Sequence, residues 1–234
     1  MAETIIKAEN ISKIFLLPSG EDFYALKDIS LTIPKGTLTI FRGRSGSGKT
    51  TLMNVLCALD NASTGNVIFN GINITEKNED ECSLIRRDNI GFVFQSVALI
   101  PMMTAYENVE YSLRLSNYAG GYKERVEECL KMVGLANRAN HLPEELSGGE
   151  QQRVAIARAI AHKPKVIFAD EPTAELDTNT GLQVVKIFKE LVEREGNTVI
   201  MTTHDVGLME VGDLVYELDD GRIIHSHYNS READ

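Results

Sequence analysis

The stretch TLTIFRGRSGSGKT, residues 37–50, decides the fold. Its first half, TLTIFRG (37–43), reads as a buried strand, and GRSGSGKT (43–50) matches the pattern G-x-x-x-x-G-K-[ST]. GKTTLMNVLCAL (48–59) is apolar nearly all round and predicts a core helix. Strand, glycine loop and helix in that order give the motif its meaning. Glycines let backbone N–H groups converge on phosphate oxygens, and the helix adds its positive end. In that arrangement Lys49 reaches the β- and γ-phosphates and Thr50 offers its hydroxyl to Mg²⁺. Ser45, Gly46, Ser47, Gly48 and Thr51 complete the cradle. The loop implies binding of a nucleoside triphosphate. A kinase, a GTPase and a transport ATPase would all share it.

Working outward, IIKAENISKIF (5–15), ALKDISLTI (25–33) and GNVIFNGINI (65–74) have strand character, with LLPSGED (16–22) as a turn-rich connection. From about Glu76 to Leu146 the chain is mostly helix-forming. In YKERVEECLKMVG (122–134), Val126, Cys129, Leu130 and Val133 fall at helical spacing. Strands resume at KVIFAD (165–170), NTVIMTTH (197–204) and DLVYELDDGRII (213–224), and the first two flank a helix over 180–195. This order predicts one α/β domain with a mainly parallel sheet and a helical insertion. The expected α/β core covers 1–90 and 151–234, and the helical segment about 91–150.

Composition is that of an ordinary globular protein: 43% hydrophobic, 25% charged, net charge −10 over 234 residues. An acidic chain repels phosphate backbones, so nucleic acid is excluded as an expected partner, and nothing favours an anionic membrane surface. Cys57, Cys82 and Cys129 form no CxxC pair and read as small buried hydrophobes or free thiols. The opening MAETIIKAEN lacks a signal-peptide apolar core, and no run is long enough to span a bilayer. Any service to a membrane is expected to go through a partner.

VIFADE (166–171) is an apolar strand ending in two acids, and charges there are tolerable where a metal or water compensates them. In open parallel sheets that carboxyl end is where ligands sit. Asp170 is the expected Mg²⁺ residue, acting through water, and Glu171 is expected to orient or deprotonate the attacking water. His204 follows another apolar strand and is a candidate γ-phosphate contact. Gln95 ends IGFVFQ (90–95) with an amide suited to Mg²⁺ or water. His141, His162, His225 and His227 are expected at the surface.

LSGGEQQRVAIARAIAHKP (146–164) is a helix with a marked start. Ser147 and Glu150 make an S-x-x-E capping box, which explains both. The box does not need Gly148 and Gly149. Glycine in a helix costs up to about 1 kcal/mol against alanine, so something is expected to approach that backbone closely. Exposed N–H groups at a helix start suit a second phosphate.

With GRSGSGKT, Gln95, LSGGE, VIFADE, AELD (174–177) and His204 in this order, the chain resembles the nucleotide-binding subunit of an ABC transporter over essentially its full length. The resemblance implies a P-loop NTPase (RecA-like) core, an antiparallel β-subdomain and an α-helical subdomain. It implies ATP and Mg²⁺ as cofactors and an active ATPase with Glu171, His204, Lys49 and Gln95 as catalytic residues. Thr50, Gln95 and Asp170 are the implied metal residues. Two such subunits face each other head to tail in that family. Ser147, Gly148, Gly149 and Glu150 would then serve the γ-phosphate bound by the other copy, and Asp177 would join the same composite site. The family's adenine-stacking aromatic maps to Phe15 or to Tyr24.

Three positions depart from the commonest pattern. Arg44 stands where proline is frequent, Glu175 where small or amide residues are common, and Glu150 where glutamine is. The carboxylate adds a negative charge beside the partner's γ-phosphate. Residues 85–109 and 146–173 are similar to the LolD, MacB and FtsE-like group, whose members drive lipoprotein release, macrolide or peptide efflux, and envelope signalling. The implied partners are a second copy of the chain, an integral-membrane permease, and a periplasmic or extracellular adaptor. The implied place is the cytoplasmic face of the membrane. In VALIPMMTAYENV (97–109), Leu99, Ile100, Met102 and Met103 either line a permease groove or fill the core of the insertion. The alternative function is a soluble ABC ATPase of cofactor assembly or DNA repair. A P-loop kinase would leave LSGGE and AELD without a role.

Overall fold

The structure, a computed structural model, describes residues 3–229, so Met1 and Ala2 of the opening stretch lie outside it. Two sheets carry the chain. Strands β1 (Thr4–Leu16), β2 (Asp22–Pro34), β4 (Thr64–Phe69) and β5 (Ile72–Asn73) form an antiparallel sheet in the order β2-β1-β4-β5. The second sheet contains β3 (Leu38–Arg42), β6 (Ile90–Val93), β7 (Val166–Ala169), β8 (Thr198–Thr203), β9 (Leu214–Asp219) and β10 (Arg222–Tyr228). Its order is β10-β9-β3-β8-β7-β6, parallel throughout except for the β9–β10 pair.

Both sheets end in hairpins where the sequence suggests single runs. GNVIFNGINI turns at Asn70–Gly71 and DLVYELDDGRII turns at Asp220–Gly221. All four turn residues have positive φ (48°, 80°, 43° and 73°), the signature of a two-residue hairpin loop.

The β3, β7 and β8 residues are buried almost without alternation because both faces of the sheet are covered. On one face Ile40, Ile167, Ala169, Val199 and Met201 pack with α3 (Ala105–Leu115), α4 (Tyr122–Met132), α5 (Gly148–Ile160) and α6 (Thr178–Glu195). On the other, Phe41, Phe168 and Ile200 pack against the antiparallel sheet and α1 (Lys49–Leu56). Val126, Cys129, Leu130 and Val133 are all buried, as their spacing requires. Helix α1 is shorter than the apolar run suggests, and Ala58 just beyond its C-cap is left-handed at φ 58°.

The three cysteines are buried and unpaired. Burial pushes the Cys57 thiol up to about 12 and the Cys129 thiol up to about 11, so both remain protonated small hydrophobes. Arg125, also buried, donates from Nε to the Ala161 carbonyl and from Nη2 to the Ile160 carbonyl, each at 2.8 Å, and so caps the C-terminal end of α5. Among the described residues no helix is long and apolar enough to cross a membrane.

The decisive consequence is positional. Because β3, β8, β7 and β6 are adjacent and parallel, their carboxyl ends lie along one edge of the sheet. The glycine loop, His204, the Asp170–Glu171 pair and Gln95 all leave from that edge.

Candidate nucleotide site

Gly46 and Gly48 hold the loop's shape with φ of 80° and 101°, a region costly for other residues. A Cβ on Gly48 would stand 2.8 Å from the Ala25 carbonyl oxygen, and one on Gly43 would overlap Ser47 and the Leu218 carbonyl. The loop therefore needs glycine for space as well as for φ. Ser47 Oγ is buried without a hydrogen-bond partner.

Lys49 is 4% exposed. Its ammonium donates to the Gly43 carbonyl at 2.9 Å and the Arg44 carbonyl at 3.1 Å, and lies 3.4 Å from Glu171 Oε1. The other Glu171 oxygen, Oε2, is 2.9 Å from His204 Nδ1. Glu171 thus bridges the loop lysine and the histidine at the end of β8. Its own φ is 41°, a strained value for a glutamate, of the kind that concentrates at functional sites.

One residue earlier, Asp170 Oδ1 accepts from Thr202 Oγ1 at 2.6 Å and from Thr50 Oγ1 at 3.3 Å. Thr202 Oγ1 also accepts the Glu171 N–H at 2.8 Å. Thr202 therefore fixes both acids from the neighbouring strand. Sequence reasoning missed it, because threonine is common in strands for packing alone.

These groups face a cleft of about 660 Å³ lined by Phe23, Ala25, Arg44, Ser45, Gly46, Gly48, Lys49, Thr50, Thr51, Gln95, Glu171 and His204. The volume suits a nucleotide. Phe23 is the aromatic in its wall. Phe15 is its direct cross-strand partner, so the two rings share a face of the antiparallel sheet. Tyr24 sits one residue on and belongs to the opposite face.

The chain's oxygen donors suit a hard cation. Thr50 and Asp170 place a hydroxyl and a carboxylate oxygen together, and Gln95 lines the same cleft. Among the described residues no cluster of three His, Cys, Asp or Glu could hold a metal unaided.

The signature residues do not line this cleft. Ser147 caps α5: its Oγ accepts the Glu150 N–H at 3.3 Å, while Glu150 Oε2 accepts the Ser147 N–H at 2.9 Å and the Ser147 hydroxyl at 3.0 Å. The backbone N–H of Ser147 is the chief cause holding the Glu150 carboxyl below the ordinary glutamate range. The expectation that an outside group crowds both glycines needs correction. A Cβ on Gly149 would overlap the Thr180 methyl of this same chain, whereas Gly148 is exposed with no atom near its missing Cβ. Asp177 caps α6, accepting from Asn179 N and Thr180 N at 3.1 Å and from Thr180 Oγ1 at 2.6 Å. The Thr180 hydroxyl bond holds its carboxyl below the usual aspartate range.

Three of the four histidines expected at the surface, His141, His162 and His227, are partly buried. His162 Nε2 lies 3.1 Å from the Ile90 carbonyl oxygen, and burial lowers its pKa; His227 Nδ1 is enclosed without a partner.

The family profile described as ABC transporter matches residues 26–174. The chain belongs to the ABC transporter family. It is 44% identical over 226 residues to the ABC transporter ATP-binding protein MJ0796 of Methanocaldococcus jannaschii, covering 94% of this chain and 95% of that one. It is also 44% identical over 225 residues to the macrolide export ATP-binding/permease protein MacB of Neisseria meningitidis, covering 94% of this chain and 34% of that one. The chain thus spans about a third of MacB.

A solved dimer of the MJ0796 cassette in a post-hydrolysis state, bound to ADP and Pi, superposes with a TM-score of 0.88 at 42% identity over 96% of this chain and 99% of that one. CbiO1 of Clostridium perfringens, part of the ABC transporter complex cbiONQ, superposes with a TM-score of 0.86 at 29% identity over 97% of this chain and 89% of that one. The protein is an ATP-binding cassette of a transporter and an ATPase. These likenesses lend nothing to the cofactor-assembly or DNA-repair alternative.

Proposed function

We propose that two copies of this cassette cleave ATP between them and drive an integral-membrane permease from its cytoplasmic face. The observation that carries this reading is the separation of two anion-friendly helix starts. The loop at 43–50 opens into the cleft, and the start of α5 is absent from the cleft's lining. A helix start left facing outward with Gly148 uncrowded suits a phosphate presented by another chain.

In this scheme the loop N–H groups and Ser47 hold the phosphates. Lys49 leaves its carbonyl partners for the β- and γ-oxygens. Phe15 and Phe23 offer ring faces for the base. Thr50, Asp170 and Gln95 would hold Mg²⁺, and the ion would supply neutralisation of phosphate charge. Glu171 orients the attacking water and accepts its proton, and His204 fixes Glu171 from the far side and reaches the γ-phosphate. Ser147, Gly148, Gly149, Glu150 and Asp177 of the facing copy close the site.

The segment following Gln95 is the proposed permease contact. Met102 is 90% exposed there, whereas Leu99 packs on the core. The similarity to MacB supports placing the chain in the LolD, MacB and FtsE-like group, with a permease and an extracytoplasmic adaptor as its further partners. Purifying the tagged chain from detergent-solubilised membranes tests the reading. Recovery with a polytopic membrane protein is expected, and recovery of the cassette alone would contradict it.

A further inference from the structure

The glutamate at position 150 is paired with a residue outside every motif, 12 positions upstream. Arg138 lies in a short turn of 3-10 helix, Ala136–Arg138, between α4 and α5. Its Nε donates to Glu150 Oε1 at 2.9 Å, and its Nη1 lies 3.3 Å from His141 Nε2. Glu150 is 18% exposed and spends its other oxygen on Ser147. The two oxygens thus have separate duties: one closes the capping box, the other carries an ion pair.

We propose that Arg138 is a positioning residue for the ATP bound by the facing copy, neutralising and orienting Glu150 so that the signature turn can meet a triphosphate. The inference rests on the two-copy reading above. A carboxylate one residue from Gly149 opposes an approaching phosphate through like-charge repulsion, and a cation fixed against the carboxylate weakens that repulsion. A glutamine at the same position would keep the capping box without the charge. Arg138 is therefore needed because residue 150 is glutamate. It does not touch the nucleotide.

The test compares four chains: wild type, Arg138→Ala, Glu150→Gln and the double variant. Dimer formation is followed by light scattering with Mg²⁺ and a non-hydrolysable ATP analogue, and thermal melting of the nucleotide-free chains checks the fold. Arg138→Ala is expected to weaken dimerisation by about tenfold, since a two-fold dimer holds the contact twice. In the Glu150→Gln background the same substitution should cost less than about twofold. Equal losses in both backgrounds, or none in wild type, would overturn the inference while leaving the two-copy reading intact. A wild-type chain that stays monomeric with nucleotide would overturn both. Arg138→Lys, which keeps the charge, is expected to recover most of the dimerisation lost in Arg138→Ala, and no recovery would count against neutralisation as the cause.

Discussion

The two helix starts, at Lys49 and at Gly148, obey the same electrostatics and are built in opposite ways. The first follows a loop bent by positive-φ glycines and leaves one buried hydroxyl without a partner, with its lysine parked on the loop's own carbonyls. It is a cradle whose groups are only provisionally satisfied. The second is closed on itself by a reciprocal capping box and an ion pair. It needs nothing to be stable, and what it offers is an open backbone face at Gly148. A site that stores unsatisfied donors binds by itself. One that is already satisfied contributes only when a ligand is brought to it.

The largest expected effect breaks the first region chemically without touching the second. Glu171→Gln should lower ATP turnover by ~10²–10⁴, the scale of a lost general base, while ATP binding persists. Phosphate release at saturating ATP, with binding measured separately, checks it. Near wild-type turnover would remove Glu171 from the chemistry.

The next effect separates the two signature glycines. Gly149→Ala forces a methyl against Thr180 and should destabilise the folded chain by ~1–3 kcal/mol in urea unfolding. Thr180→Ser, which deletes the opposing methyl, should restore part of that loss. Gly148→Ala should alter folding by only about 0.5 kcal/mol, and weaken ATP-dependent dimerisation instead. Equal unfolding costs at the two positions would show that neither glycine is kept free for a partner.

A smaller effect is expected on the loop leaving the cleft. Met102→Glu should leave fold stability within about 0.5 kcal/mol and ATP binding intact, while reducing permease-stimulated ATPase. Unchanged stimulation in reconstituted membranes would move the contact elsewhere.

The smallest lies at the far end of the signature helix. Burial lowers the His162 pKa, so the native chain keeps this ring neutral while the unfolded chain takes up a proton below about 6.5. The unfolded state then binds more protons, and stability falls as pH drops through that value towards the folded pKa. Urea midpoints at about pH 7.5 and about pH 5.5 should differ less in His162→Gln than in wild type. An identical difference would mean that His162 contributes no such slope.

Much of the fold was legible because parallel strands buried on both faces carry unbroken apolar runs: Ile40–Phe41 within 38–42, the whole of 166–169, and Val199–Met201 within 198–203. The loop was legible because its glycines answer a local backbone demand. The hairpin turns did carry a local mark, Asn70–Gly71 and Asp220–Gly221, which is lost when each stretch is taken as one continuous strand. Thr202 and Arg138 were illegible for a different reason. Each bonds to a neighbour distant in sequence, Thr202 to Asp170 across 32 positions and Arg138 to Glu150 across 12, and nothing local marks the pairing. Gly149 misled because its crowding neighbour, Thr180, also lies far along the chain.

The most direct measurement mixes two inactive chains. Lys49→Ala disables the cradle, and Ser147→Glu disables the signature start. Each alone should fail to cleave ATP in a single turnover. In a mixed dimer one pocket pairs the intact cradle of the second variant with the intact signature of the first. Equal mixing should therefore restore about a quarter of the wild-type sites, given random exchange in a two-fold dimer. Cleavage at that level is the predicted result; a mixture as inactive as its components would contradict the sharing of each pocket between two copies.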